Sequence, residues 1–288
     1  MAHKDSSVAT VLGWKCCCDI ELQSLADGSM SGSGFSGKKN TGVKFDISCY
    51  RANEGSRISV VISSEGRELD LSGVSESRSD VFTLDAGDFF GDHDALDLGI
   101  PRSRLVVLIG QHTELKRSFR NSAFGLTYMP PVWELFRHSP PSSIFEWGPG
   151  RSTLFFAELF PEAEIRGVEH NRRWFANCAQ IMEEFGARVQ IEHRHLEISP
   201  AKAEPYVTHP LWNPDKKYDL VFIDGRLRCD CAVIAKQILS ENGIVMVHDA
   251  HRKVYQPAYQ LYPGCEVAYN TAFLSSRKDT IAGLLQDR

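Results

Sequence analysis

Four apolar segments in the C-terminal half of the sequence lead into acidic or imidazole side chains. These side chains are Glu146, Glu169, Asp224 and the adjacent pair His248 and Asp249. Carboxylates bind hydroxyl groups and hard cations such as Mg²⁺, and an imidazole can accept a proton near neutral pH. The residue types therefore indicate either general-base chemistry or a site for a divalent cation.

A glycine-rich turn at 148–150 follows the first of these acids and leads into an apolar segment. A strand that ends in such a turn and feeds a helix is typical of nucleotide-binding sites. The dinucleotide fingerprint needs a third glycine, and Thr153 stands at that position. We expect the carboxylate of Glu146 to repel a pyrophosphate at the helix start and to attract a cationic ligand instead.

Strand and helix patterns alternate from about residue 128 onward, which predicts an α/β domain with a mainly parallel sheet covered on both faces. In open sheets of this kind, ligands bind beyond the carboxyl ends of the strands, so the acids are expected at one edge. The predicted strands cover 143–146, 164–169, 188–192, 218–224 and 243–247, the predicted helices cover 130–138, 152–160, 172–186 and 229–243, and an antiparallel hairpin is predicted within 265–279.

The first 120 residues have a different pattern and predict a smaller β-rich domain at 1–120, ahead of an α/β domain at 121–288. Short, partly alternating segments at 43–50, 57–69 and 103–110 predict strands. Stretches rich in Gly, Ser and Asp at 27–42 and 72–80 predict surface loops.

Composition excludes several functional classes. The formal net charge is −5, which argues against a nucleic-acid partner. The sequence contains no run of 18 apolar residues, so no membrane span is predicted. The N-terminus does not resemble a signal peptide. The eight cysteines form no C-x-x-C pair, and the adjacent Cys16, Cys17 and Cys18 cannot all face one metal from a strand. Free thiols in the cytoplasm are the expectation.

The motifs from residue 128 to the end resemble those of class I S-adenosylmethionine (SAM)-dependent methyltransferases. E-x-G-x-G-x-[ST] at 146–152 is similar to the first motif of that superfamily, and "GVEH" is similar to the second. "YDLVFIDG" followed by "ENGIVMVHD" resembles its fourth and fifth strands. The resemblance implies a Rossmann-like sheet that ends in an antiparallel hairpin, with SAM as the cofactor. SAM carries a sulfonium and no phosphate, which agrees with the expected preference for a cationic ligand.

The resemblance also implies roles for individual residues. Glu146, Gly148 and Gly150 would line the methionine end of SAM, Glu169 would accept both ribose hydroxyls, and Asp224 would lie next to the methyl-donating sulfur. His195 and Leu196 would flank the adenine, although the family usually has an acid before the apolar residue. The remaining residues assigned to cofactor binding are Ser152, Thr153 and His170.

Two catalytic schemes remain open for a hydroxyl acceptor. In one, His248 or His251 takes the acceptor proton while a carboxylate orients the ring. In the other, Asp224 and Asp249 bind Mg²⁺, which lowers the pKa of the acceptor hydroxyl. The catechol-type enzymes of this family add an asparagine ligand, but Ala250 stands at that position.

An oxygen acceptor is preferred because methyltransferases that act on sugars and macrolides share the "IDG" and "HD" motifs. A small or glycosidic acceptor is therefore predicted, with Arg226 and Arg228 assigned to its binding, in a protein that self-associates or acts as a monomer. The alternatives are N-methylation, aminopropyl transfer on the same fold, and a domain that binds SAM without catalysis. The N-terminal domain would select the acceptor, cover the active-site edge or mediate association.

Overall fold

The computed structural model describes residues 7–13, 16–35, 43–52, 55–75, 81–90, 104–110, 128–196, 205–268 and 270–281. The chain divides into two compact units, Met1–Trp133 and Glu134–Arg288. The sequence-based domain boundary at residue 120 lies outside the described residues, so it stays a prediction. Within the described ranges, no helix is both long enough and apolar enough to cross a membrane.

The N-terminal unit contains one antiparallel sheet of eight strands. Its strands are β1 (Ser7–Gly13), β2 (Cys16–Ser24), β3 (Met30–Phe35), β4 (Lys44–Ala52), β5 (Gly55–Ser64), β6 (Arg67–Ser75), β7 (Val81–Asp85) and β8 (Arg104–Gly110). They are ordered β6-β5-β4-β3-β2-β1-β8-β7. The two edge strands, β6 and β7, lie close together. A Cβ added to Gly73 of β6 would lie 2.6 Å from Leu84 Cδ2 of β7. The sheet therefore curls into a barrel.

Alternate side chains along the strands fill the inside of this barrel. Phe45 and Ile47 of β4 are buried, and so are Ile58, Val60 and Ile62 of β5. This spacing follows from the two-residue repeat of a β-strand, which points every second side chain inward. The unit is thus β-rich, as the sequence predicts.

Three sequence-based assignments in this unit are wrong in detail. The predicted loop at 27–42 contains β3, and the predicted loop at 72–80 begins inside β6. The segment 57–69 forms parts of two strands, because Glu65 and Gly66 adopt positive φ angles of 50° and 77° and turn the chain back. Consecutive positive φ angles are the signature of a tight hairpin turn.

The C-terminal unit contains a seven-stranded mixed sheet with helices, in the order β11-β10-β9-β12-β13-β15-β14. The strands β9 to β13 run parallel, and β15 is antiparallel to both β13 and β14. The strands are β9 (Ser143–Trp147), β10 (Glu164–Glu169), β11 (Val189–His193), β12 (Tyr218–Ile223), β13 (Leu239–His248), β14 (Gly264–Ala268) and β15 (Thr271–Ser275). The helices are α1 (Met129–Phe136), which spans the division between the units, α2 (Arg151–Leu159), α3 (Arg172–Phe185), α4 (Arg228–Ile238) and α5 (Gln256–Tyr259).

The α/β architecture and the separate β-rich sheet confirm the broad fold class predicted from the sequence. One boundary is wrong, because the helix predicted at 229–243 ends at Ile238 and Leu239 starts β13. Leu239 pairs with Tyr218 across a register shift, so the last residues of the predicted helix belong to the sheet instead. Local propensity is commonly overridden by tertiary pairing in this way.

Candidate functional site

Predicted site residues at the ends of four strands lie together at the carboxyl edge of the seven-stranded sheet. Glu146 pairs in parallel register with neighbours on β10 and β12, and β12 pairs with β13 in turn. Glu169, Asp224 and His248 each lie two residues beyond the position that is level with Glu146 on their own strand. Side chains two residues apart point to the same face, so these three residues lie on the face that carries Glu146. We call these three residues and Gly148 the edge row. It lies two residues closer to the carboxyl edge of the sheet than Glu146.

The edge row crosses the point where the strand order reverses. β10 and β11 extend from β9 on one side, and β12 and β13 extend from it on the other. Ligand crevices in open α/β sheets form at such a reversal. Gly148 lies there with φ +85°, and a Cβ on it would be 2.6 Å from the Gly225 nitrogen. A Cβ on Gly225 would in turn overlap the buried Tyr206 hydroxyl. The turns after β9 and β12 therefore pack so closely that both positions need glycine.

Helix α3 supports the other side of the glycine turn. Trp174 Nε1 donates a hydrogen bond to the Pro149 carbonyl at 2.7 Å, and the Cys178 thiol contacts the same oxygen at 3.4 Å. A Cβ on Gly150 would lie 2.9 Å from the Trp174 ring. Gly150 is thus required for close packing against α3. The turn at the start of α2 is held by these contacts.

Glu169 is a buried acid at the end of β10. Its Oε1 accepts a hydrogen bond from the Asn171 main-chain nitrogen at 2.6 Å and lies 2.9 Å from His170 Nδ1. Asn171 also caps α3, because its side chain accepts hydrogen bonds from the main-chain nitrogens of Arg173 and Trp174, which α3 leaves unpaired. The strand end and the helix start therefore fix the carboxylate of Glu169 beside the glycine turn.

Glu146 is completely buried, and burial raises the pKa of its carboxyl group to about 8. The hydroxyls of Thr153 and Ser152 oppose this rise in pKa, and the nearby Asp224 adds to it. Thr153 Oγ1 also accepts a hydrogen bond from Gly150 at 2.8 Å. Glu146 is consequently protonated at neutral pH in the unliganded chain. A neutral Glu146 would not repel a pyrophosphate, so the expected repulsion depends on ionisation of this carboxyl group.

Asp224, His248 and Asp249 form a compact cluster at the ends of β12 and β13. His248 Nδ1 lies 3.0 Å from Asp224 Oδ1 and 3.8 Å from Asp249 Oδ1. His248 is buried, and Asp249 has a positive φ of 58°. Aspartate tolerates this left-handed conformation better than most residues do. The carboxylate of Asp224 thus has the position needed to orient the imidazole of His248.

Arg228 lies between the two carboxylates of this cluster. Its Nη2 is 2.9 Å from Asp224 Oδ1, and its Nη1 is 3.3 Å from Asp249 Oδ2. The side chain is only 9% exposed. The guanidinium is therefore directed at the protein's own acids, and acceptor binding by Arg228 stays a prediction.

The hairpin between β14 and β15 brings Asn270 to the same cluster. The Asn270 amide nitrogen is 3.5 Å from Asp249 Oδ1, and its carbonyl oxygen lies 2.5 Å from His251 Nδ1. His251 is exposed and also donates its main-chain N–H to that oxygen. Of the two candidate bases, only His248 has a carboxylate partner in these contacts.

The other predicted site residues lie around the same edge. Leu196 packs against the hydrophobic core beneath the sheet, whereas His195 is exposed. Arg226 is exposed, and its main-chain nitrogen donates to the Tyr206 hydroxyl at 3.3 Å. Ser152 and Thr153 are buried in the first turn of α2, near Glu146. Adenine contact by His195 and Leu196 and acceptor contact by Arg226 stay predictions.

The charges around the two predicted Mg²⁺ ligands, Asp224 and Asp249, do not favour a divalent cation. Among the described residues, Asp224, His248 and Asp249 each offer a ligand atom, and these atoms lie within 4.8 Å of one another. Mg²⁺ usually binds through one or two carboxylates and keeps several waters, so the two predicted acids are of a suitable type. However, the guanidinium of Arg228 already contacts both carboxylates. The Asp224 and Asp249 metal assignment is not supported by this arrangement.

A cavity of about 310 Å³ lies elsewhere in the C-terminal unit. Its wall includes Arg166 and Gln190 of the sheet and Trp212 of a nearby 3₁₀ turn. Arg166 and Gln190 point to the face opposite the edge row, as their register requires. None of the predicted site residues lines this cavity, so the chemistry at the edge row is separate from it.

Sequence reasoning missed three contributors to the site. These are the ion-pairing role of Arg228, the amide of Asn270 and the buried phenol of Tyr206. The opposite charges of Asp224 and Arg228, only four residues apart in the sequence, are a signal that could have predicted this ion pair. No comparable signal identifies Asn270 or Tyr206, because tertiary packing alone brings them to the strand ends.

The comparisons with known proteins give structural matches only. No protein-family model matches the sequence, and no curated protein is significantly similar to it. The chain is similar to a methyltransferase-like protein from Silicibacter pomeroyi, with 21% identity over 56% of this chain and 93% of the other and a TM-score of 0.43. It is also similar to a putative caffeoyl-CoA O-methyltransferase from Staphylococcus aureus, with 17% identity over 57% and 91% and a TM-score of 0.43. A methyltransferase from Podospora anserina in complex with SAH aligns at 17% identity over 57% and 85%, with a TM-score of 0.42.

Proposed function

We propose that this chain transfers a methyl group from SAM to a hydroxyl oxygen of a small or sugar-containing acceptor. The observation that carries the proposal is the edge row, which brings Glu169, Asp224 and His248 to one face of the sheet at the reversal of strand order. This arrangement offers a nucleoside-binding acid and a proton acceptor on the same edge.

The residues present fit SAM. Glu169 is held with one oxygen on the Asn171 nitrogen, and its carboxylate can still accept hydrogen bonds from a ribose diol. Gly148 is only partly buried and carries no side chain, which allows a ligand to approach its backbone closely. Glu146 is neutral before binding, so a cationic ligand would favour its ionised form.

His248 is the residue that we assign as general base. When bound, SAM would supply a methyl group on a positively charged sulfur, so the acceptor oxygen needs only to lose its proton as it reacts. Asp224 faces Nδ1 of His248 at 3.0 Å, and Nε2 is then the ring nitrogen that takes the acceptor proton. The imidazolium that forms is stabilised by the carboxylate of Asp224.

Replacing Glu169 with alanine tests the cofactor assignment. We expect SAM to bind at least about 150-fold more weakly, because two hydrogen bonds are lost and each hydrogen bond to a charged group contributes about 1.5–3 kcal/mol. Glu169→Gln keeps the shape and one acceptor oxygen, so its loss of affinity should be smaller. Isothermal titration calorimetry with SAM on the full chain measures both effects.

Glu192→Ala is the matched control for this experiment. Glu192 lies on the neighbouring strand β11, is half exposed and points to the opposite face of the sheet. Its replacement should leave SAM affinity unchanged. Wild-type protein that does not bind SAM, or a Glu169→Ala variant with wild-type affinity, would refute the cofactor assignment.

A further inference from the structure

We propose that the guanidinium of Arg228 takes the place of a divalent cation between Asp224 and Asp249, so that the site operates without Mg²⁺. This inference rests on the proposed methyl transfer and deepens it, because it assigns the positive charge of the site to a residue of the chain. Arg228 acts as a positioning residue, through its contacts with the acids beside His248.

All three nitrogens of the Arg228 guanidinium have partners. Nε donates to the Gly225 carbonyl at 3.1 Å, Nη1 donates to the His248 carbonyl at 2.5 Å, and Nη2 donates to the Asp224 carbonyl at 3.1 Å. Nη1 and Nη2 also contact the two carboxylates. A planar guanidinium with a fixed fork of donors suits this bridging of two acids.

The local charges leave little attraction for a second cation. Asp249 Oδ2 lies 3.3 Å from Arg228 and 3.5 Å from Arg252, whose side chain is half exposed. Asp224 Oδ1 is shared by Arg228 and His248. Two guanidinium groups thus match the two carboxylates. A divalent ion at this place would meet like charge within a few ångströms.

The same contacts join the two turns that carry the chemistry. Arg228 begins α4 directly after the turn that follows β12, and it reaches the main chain of His248 at the end of β13. Its Nη2 and the His248 ring contact the same oxygen of Asp224. Loss of this side chain would release the carboxylate that orients the imidazole and would uncover two acids.

Titration with Mn²⁺, a paramagnetic substitute for Mg²⁺, tests this proposal on the full chain. Wild-type protein is expected to show no saturable Mn²⁺ binding at millimolar concentration by electron paramagnetic resonance. Arg228→Gln is expected to bind Mn²⁺ at least about tenfold more tightly, because a fixed positive charge beside both carboxylates is gone. Arg277→Gln, which changes an exposed arginine outside this cluster, should behave as wild type.

Specific uptake of Mn²⁺ by wild-type protein that Asp249→Asn abolishes would overturn the proposal. A folded Arg228→Gln variant with no gain in affinity would overturn it as well. If Arg228→Gln does not fold, the wild-type titration decides the outcome by itself. A failure of SAM to bind in calorimetry would reject the methyl-transfer proposal separately, because the Mn²⁺ titration needs neither SAM nor an acceptor.

Discussion

Replacing His248 with alanine is expected to slow methyl transfer by about 100- to 10,000-fold, the range typical of a lost general base. SAM binding should not change, because His248 lies on β13, which two other strands separate from β10 and the acid that we assign to the ribose. A hydroxyl acceptor depends on this base, since its own pKa is far above neutrality. The rate is measured with labelled SAM and a panel of phenols and glycosides, and calorimetry gives the affinity.

Two further variants separate His248 from its neighbours. Asp224→Asn should also lower the rate, since an amide cannot stabilise the imidazolium as a carboxylate does. His251→Ala should keep most of the activity, because His251 is exposed and contacts an asparagine instead of an acid. A His248→Ala variant with near wild-type rate would reject the base assignment and would favour an amine acceptor, and a large loss in His251→Ala would point to the other histidine.

Glu146→Gln is expected to stabilise the protein in alkaline solution but not in acid. The pKa of Glu146 is raised to about 8 from an ordinary value of 4.5. Between these values the folded chain holds a proton that the unfolded chain has released, so the free energy of unfolding falls as pH rises. The difference in pKa corresponds to at most about 5 kcal/mol. Glutamine removes this cost because it stays neutral.

Urea unfolding at about pH 5 and about pH 9 measures this effect. Three of the five tryptophans, Trp147, Trp174 and Trp212, lie in the C-terminal unit, so tryptophan fluorescence reports mainly on the unit that contains Glu146. Relative to wild type, Glu146→Gln should gain several kcal/mol between the acidic and the alkaline condition. Glu183→Gln, at an exposed position of α3, should show no such gain. An equal stability difference at both pH values would show that Glu146 is not buried as an acid.

The arrangement of the site was largely predictable, because it depends on repeats that a sequence displays. Apolar runs that end in Glu169, Asp224 and His248 predict strand ends, and parallel pairing brings strand ends to one edge. Glycines at 148 and 150 predict a turn with close backbone approach. These features need no knowledge of which distant residues pack together.

Features that depend on tertiary packing were not predictable. The neutral state of Glu146 follows from complete burial between sheet and helix, which no local pattern reveals. The contact from Arg228 to Asp249 spans residues on two different elements. The strand β3 is rich in glycine and serine and resembles a loop, yet a Cβ on Gly34 would lie 2.9 Å from the Ile20 side chain of the adjacent strand. Close strand contact explains that composition.

A crystal structure of the full chain with SAH, the demethylated product of SAM, tests the central claim most directly. The account predicts adenosine across the ends of β9 and β10, with both ribose hydroxyls within about 3.2 Å of the Glu169 carboxylate. The sulfur should lie on the Asp224 side of the glycine turn. Adenosine bound away from Glu169, or NAD⁺ bound along the turn at Gly148 in a parallel soak, would contradict it.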